Sequence, residues 1–224
     1  MSRRLPAKIA ALLILIIVGA AFVPALEGHA HAGEVLVPAA WLDENPGPYT
    51  LDVTVGLDEE WLDAFGGDAE QRAARVIAAA ASNLRQAGLD LRVSAITEWA
   101  SANDAETIHP LLDEIREAIP VDGPSLAVAL TAGSYAGGVD GLAQVRQPFV
   151  VVRHHPGSLE RDAYVLTHEI GHIFGLDHHA CEDDLCFMAD HGYDPNEHWC
   201  PEHLELLRDN AGYLEYANDV DPQT

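Results

Sequence analysis

Lysine is nearly missing from this chain. Of its twelve cationic side chains only Lys8 is a lysine; the rest are arginines, and 36 aspartates and glutamates oppose them for a formal net charge of −24. With no basic stripe to neutralise phosphates, nucleic acid is excluded as the main partner. The glycine-rich stretch Ala132 to Gly141 (AGSYAGGVDG) has no Gly-Lys-Ser/Thr ending and no lysine to serve it. It therefore reads as a mobile loop and not as a phosphate cradle. Cysteine is scarce too: there are three, none before Cys181, an odd count that cannot pair entirely within one chain. Methionine occurs only at the initiator and at Met188. What remains is 48% apolar and 21% charged over 224 residues, enough to bury one compact core and too apolar for wholesale disorder. Arginine without lysine under so many carboxylates reads as adaptation to high salt, where screening relieves the self-repulsion.

Residues 1–32 stand apart. Arg3, Arg4 and Lys8 form a positive start, followed by 18 uncharged residues from Ile9 to Leu26 that include LLILIIV. This predicts a signal peptide or a membrane anchor. Small residues at Ala30 and Ala32, or Val23 and Ala25, suit cleavage, and Gly19 and Pro24 weaken a spanning helix. The opening SRRLPAK resembles a twin-arginine signal, which carries a folded protein across a membrane. The expected location is secreted, or anchored and facing outside the cytoplasm, with the membrane met only through this segment. Without it, residues 33–224 hold 9 cations against 35 acids, a net charge of −26.

From about residue 35 to 158 the pattern alternates strand and helix. Strands are predicted at Val35 to Ala40, Tyr49 to Gly56, Leu89 to Ile96 and Leu126 to Thr131. Helices are predicted from Asp68 to Ala87, with Asp68 as N-cap and Gly88 as the stop, and from Glu106 to Ile119. Phe149 to Arg153 (FVVVR) is a further apolar strand, either a plain core strand or an edge able to bind peptide. Alternation of this kind predicts an α/β fold, a mixed and mostly parallel sheet covered by helices.

The richest segment is Leu166 to Met188, LTHEIGHIFGLDHHACEDDLCFM, in which His168, Glu169, His172, Gly175 and His178 spell HExxHxxGxxH. Residues i and i+4 share a helix face, so His168 and His172 can present ring nitrogens to one ion at about 2.0–2.1 Å. Gly175 allows a left-handed exit from the helix, and the returning chain brings His178 to the same ion. Three neutral nitrogens and one open position describe a catalytic zinc. Glu169, beside that position, can take a proton from water activated there. A helix carrying solvated histidines would leave Gly175 and His178 at these offsets without a reason.

The motif with Met188 after it resembles the metzincin clan of zinc peptidases, whose signature is followed by a methionine-containing turn. The resemblance implies an α+β metzincin-like fold with an active-site helix, an irregular C-terminal part, and Met188 as a hydrophobic base under the zinc. Within the clan the chain is most similar to archaemetzincins, through Cys181, Cys186 and Met188 (Cx4CxM) and the later Cys200-Pro-Glu-His203. It departs from them in the spacing from His178 to Cys181, in a histidine where the last cysteine stands, and in its N-terminal segment. The likeness and the spacing together predict a second, structural zinc on Cys181, Cys186, Cys200 and His203. A disulfide between Cys181 and Cys186, with Cys200 left as a thiol, is the competing expectation.

Other histidines carry less. His179 is expected to point away from the ion, His154 and His155 to lie on the surface, and the run Glu182, Asp183, Asp184 to be solvated rather than to hold calcium. His191 and Tyr193 are candidates for lining the cleft or stabilising an oxyanion. The predicted function is an exported zinc metallopeptidase acting on peptides or proteins through Glu169. A zinc amidase or deacetylase on a non-peptide amide, or a zinc-binding protein that turns nothing over, are the alternatives.

Overall fold

The computed structural model describes residues 35–36, 49–101, 106–121, 125–136, 138–178, 185–189 and 193–211. The chain separates into units Met1–His31 and Ala32–Thr224, and every described residue lies in the second. Residues 1–32, expected to be a signal peptide or membrane anchor, and His179, Cys181, Glu182, Asp183, Asp184 and His191 lie outside the described residues. Among the described residues no helix is long and apolar enough to cross a membrane.

Among the described residues six strands form one sheet: β1 (Val35–Leu36), β2 (Tyr49–Leu57), β3 (Leu89–Glu98), β4 (Ser125–Thr131), β5 (Gly141–Ala143) and β6 (Phe149–Arg153), in the order β1-β3-β2-β4-β6-β5. β2 pairs in parallel with β3 and β4, and β4 with β6, while β1 and β5 close the two edges antiparallel. The fold is mixed α/β with a mostly parallel sheet, as the alternation of elements predicts.

The helices are α1 (Glu59–Phe65), α2 (Ala69–Leu84), α3 (His109–Ala118), α4 (Leu159–Ile173) and α5 (Pro201–Asn210). Side chains alternate across a strand, and here both faces are covered. Leu126, Val128, Leu130, Val150 and Val152 join a core with α2 and α4, whereas Ala127, Ala129, Phe149 and Val151 join one with α3. That double burial explains the unbroken apolar runs LAVAL and FVVV. It also corrects the edge reading of Phe149–Arg153: β6 is an inner strand, and the edge is β5, which the expected loop Ala132 to Gly141 hid.

Local chemistry sets the helix ends. α2 stops through a short 3-10 turn at Gly88, which has a φ of 79°. Asp68 precedes α2 but its side chain makes no capping bond, because the 3-10 turn Gly66–Asp68 already leads into the helix. α1 begins at Asp58, wholly buried at the end of β2, whose Oδ1 accepts the Trp61 backbone N–H at 2.8 Å. Burial pushes the Asp58 carboxyl up to about 7, against hydrogen bonds from Thr131 and Trp61 that pull it down.

Candidate metal centre and active site

The centre is built on α4. Its first turn is capped by Ser158 Oγ, which accepts the Arg161 N–H at 3.0 Å, and carries Glu160 and Asp162 where the helix dipole favours negative charge. Asp162 is wholly buried and accepts from His154 Nδ1 and from the His155 backbone N–H, each at 2.7 Å, and from Arg72 at 3.4 Å. His154, with a side chain only 10% exposed, also packs edge-on against Trp61 and Phe65, and the His155 side chain is 12% exposed, so both are largely buried and not the surface residues expected. From α2, Asn83 Nδ2 donates to Thr167 Oγ1 at 3.0 Å, and Trp199 Nε1 donates to the Asn83 carbonyl at 3.0 Å. The back of α4 is thereby tied to α2 and to the chain entering α5.

Three imidazoles converge in front. His168 Nδ1 donates to the Phe187 carbonyl at 2.7 Å and His172 Nδ1 to the Leu176 carbonyl at 2.9 Å. Each ring thus keeps its proton on Nδ1 and leaves a lone pair on Nε2. His178 Nε2 stands 3.0 Å from both of those atoms. Lone pairs facing one another so closely are unfavourable unless a cation or proton lies among them. Nitrogens that share one zinc at about 2.0–2.1 Å are at most about 4.2 Å apart, so the donor set fits that ion. Burial lowers the His172 pKa and favours the neutral ring that ligation requires. Gly175, with a φ of 82°, ends α4 and turns the chain so that Leu176 and His178 come back to the histidines of the helix.

Glu169 lies beside this set, 8% exposed, and burial pushes its carboxyl up to about 8 while the Ala143 backbone N–H pulls it down. Edge strand β5 therefore touches the Glu169 carboxyl directly. Gly141 makes this approach feasible: a Cβ there would overlap Val165 and come within 2.8 Å of Glu169 Oε1.

Met188 is wholly buried beneath α4 against Gly171. Phe187 packs on Trp199, with ring centroids 5.0 Å apart, and Tyr164 bridges His168, Phe187 and Tyr193. Tyr193 thus borders the centre through Tyr164. The turn carrying Met188 is pinned by bonds of 2.9 Å from Phe187 N to the His198 carbonyl and from His198 N to the Leu185 carbonyl.

A second cluster lies behind that turn. Cys186 Sγ and Cys200 Sγ stand 3.2 and 3.4 Å from His203 Nδ1, and all three residues are buried. Cys186 and Cys200 are not joined by a disulfide. Two sulfurs and an imidazole nitrogen are the donor types of a structural zinc that needs one further ligand.

An active-site helix under a mixed sheet, three histidines around one point, a buried glutamate and a methionine turn define a metzincin-like zinc metallopeptidase. The reprolysin-type profile of metallo-peptidase family M12 matches residues 47–203, more than half of the chain, and the protein belongs to that family. Zinc is the expected metal of such enzymes, and peptides or proteins are their substrates. Among solved structures the fold is similar to the archaemetzincin from Methanopyrus kandleri, with a TM-score of 0.51 and 22% identity over 78% of this chain and 98% of that one. It is also similar to a chain in the structure of a chaperone–substrate complex, with a TM-score of 0.52 and 15% identity over 76% of this chain. The match spans only 35% of the length of that second chain. Both likenesses concern the fold. No curated protein sequence matches.

Proposed function

We propose that the protein is an exported zinc metallopeptidase in which His168, His172 and His178 hold the catalytic ion and Glu169 moves the proton. The observation that carries this is the meeting of three imidazole Nε2 atoms next to a buried carboxyl. Zinc bound there supplies Lewis acidity, polarising a scissile carbonyl and acidifying water. Glu169 takes the proton of the attacking water on its carboxylate and passes it to the leaving amine nitrogen. A cation held by the triad would bring Glu169 back toward the carboxylate form from the raised pKa that burial gives it. The Ala143 N–H fixes that carboxyl in place, and the remaining edge of β5 offers backbone groups to an extended peptide.

Cys181, Cys186, Cys200 and His203 are the proposed ligands of a structural zinc that clamps the Met188 turn to α5. The N-terminal charge pattern and apolar stretch support export, with the twin-arginine likeness allowing the metal to be loaded before transport. The carboxylate excess supports a protein that works best in concentrated salt.

Digestion of a peptide library tests the reading. Cleavage by the wild type, with none by Glu169→Gln at full zinc content, is the expected result. Loss of zinc from Glu169→Gln would make the glutamate a ligand and overturn the proton-transfer role. Hydrolysis of acetylated or other non-peptide amides in place of peptides would turn the reading to an amidase.

A further inference from the structure

Strand β5 is three residues long, and its ladder with β6 (Gly141↔Val152, Leu142↔Val151, Ala143↔Val150) is too short to define its own position firmly. A slip of one residue would turn every β5 group to the opposite side. Yet Glu169 depends on one of those groups, the Ala143 N–H. Something beyond the ladder must set the register.

The contacts of the hairpin along α4 show what does. Arg161, Val165 and Glu169 follow one another at i, i+4 and i+8 and so share a face of α4. Asp140, just before β5, accepts from Arg161 Nη2 at 2.8 Å through Oδ2. Its Oδ1 accepts from Arg153 Nη2 at 2.5 Å and lies 2.9 Å from His155 Nε2. Gly141 then lies against Val165 and Glu169, and Ala143 reaches Glu169. Past the strand, Arg146 adopts a φ of 60°, and its Nε lies 3.4 Å from where a Gly175 Cβ would stand. The hairpin is thus laid along the catalytic helix from its first turn to its end, and Asp140 is the point where the helix, β6 and the loop after β6 all grip it. Burial pushes the Asp140 carboxyl up, but the bonds from Arg161, Arg153 and His155 outweigh this and hold it below its ordinary value. In a chain with 12 cations for 36 acids, the convergence of two arginines on one aspartate is a costly commitment of scarce charge.

We propose that Asp140 is a positioning residue for the reaction: its ion pairs with Arg161 and Arg153 fix the register of β5 along α4 and so hold the Ala143 N–H on Glu169. The catalytic consequence rests on the proposed role of Glu169; the register itself does not.

Amide hydrogen exchange of the zinc-loaded full chain tests the register. In Asp140→Asn the Ala143 amide should exchange at least ten-fold faster, while Val128 on β4 and Ile170 on α4 keep their wild-type rates. Asp140→Glu, which retains the charge, should restore most of the protection. Arg161→Gln removes a single bond and should give a smaller acceleration at the same amide, which serves if Asp140→Asn does not fold. Unchanged exchange at Ala143 overturns the proposal, and so does equal acceleration at Val128 and Ile170, which would assign Asp140 to general stability. On a quenched peptide mixture, kcat/KM of Asp140→Asn should fall about ten-fold at unchanged zinc content. A wild type that cleaves no peptide would overturn the role of Glu169 while the exchange rates still decide the register.

Discussion

Met188 lies against Gly171 so closely that no side chain at 171 could be accommodated without moving it. The glycine stands between Glu169 and His172 on the underside of α4, and the methionine is the wholly buried apex of the turn below. Their contact brings the Phe187 carbonyl, one residue before Met188, up to His168 Nδ1 at 2.7 Å. Packing beneath the helix and orientation of a proposed ligand above it are thus one arrangement.

Gly171→Ala should therefore destabilise the fold by about 1–3 kcal/mol, the usual cost of overpacking a full core. A shift of the urea midpoint checks this. The displaced turn should also weaken zinc retention in competition with a chelator. An alanine accepted with unchanged midpoint and metal affinity would mean that Met188 moves aside easily.

Metal content follows from the triad. Replacing His168, His172 or His178 by Ala should remove one zinc per chain and abolish activity, because two nitrogens hold the ion far less well than three. Elemental analysis of the purified variants reads this directly, and a full zinc complement in all three would refute the ligand assignment.

The cysteine cluster makes a separate prediction. Native mass spectrometry should find two zincs in the wild type, falling to one in Cys200→Ser and in His203→Ala, since each of these residues lies in the buried cluster with Cys186. One zinc with a mass two hydrogens lighter would establish a disulfide instead.

Asp58 sets a pH dependence of stability. A carboxyl whose pKa rises from 3.8 to about 7 on folding binds its proton more tightly in the folded state. Its contribution is then most favourable below about pH 4, fades as the pH rises toward 7, and is flat above that. Asp58→Asn keeps an acceptor for the Trp61 N–H and abolishes the titration. The wild type should lose stability relative to this variant between pH 4 and 7, a trend readable from melting temperatures at several pH values. Parallel curves would show that Asp58 does not titrate in that range.

Much of the site could be read from the sequence because it is local. His168 and His172 share a face by helix geometry alone, and Gly175 and His178 follow within six residues. Burial of β4 was likewise written in its unbroken apolar run, whereas the run in β6 left an edge strand equally open. The seven-residue α1 is absent from the helices expected above, although Asp58, Glu59 and Glu60 before Trp61 are a recognisable helix start.

Sequence by itself determined that His168, Glu169, His172, Gly175 and His178 follow an HExxHxxGxxH pattern and that strands alternate with helices. Only the tertiary structure decided that β5 and not β6 is the sheet edge, because three residues are too few to display a strand period. It alone placed the Phe187 carbonyl on His168, Met188 under Gly171, His154 on Asp162, and Asp140 between Arg153 and Arg161. These contacts join residues from different elements, and whether such residues meet depends on how helices and sheet pack, which no local pattern of side chains records.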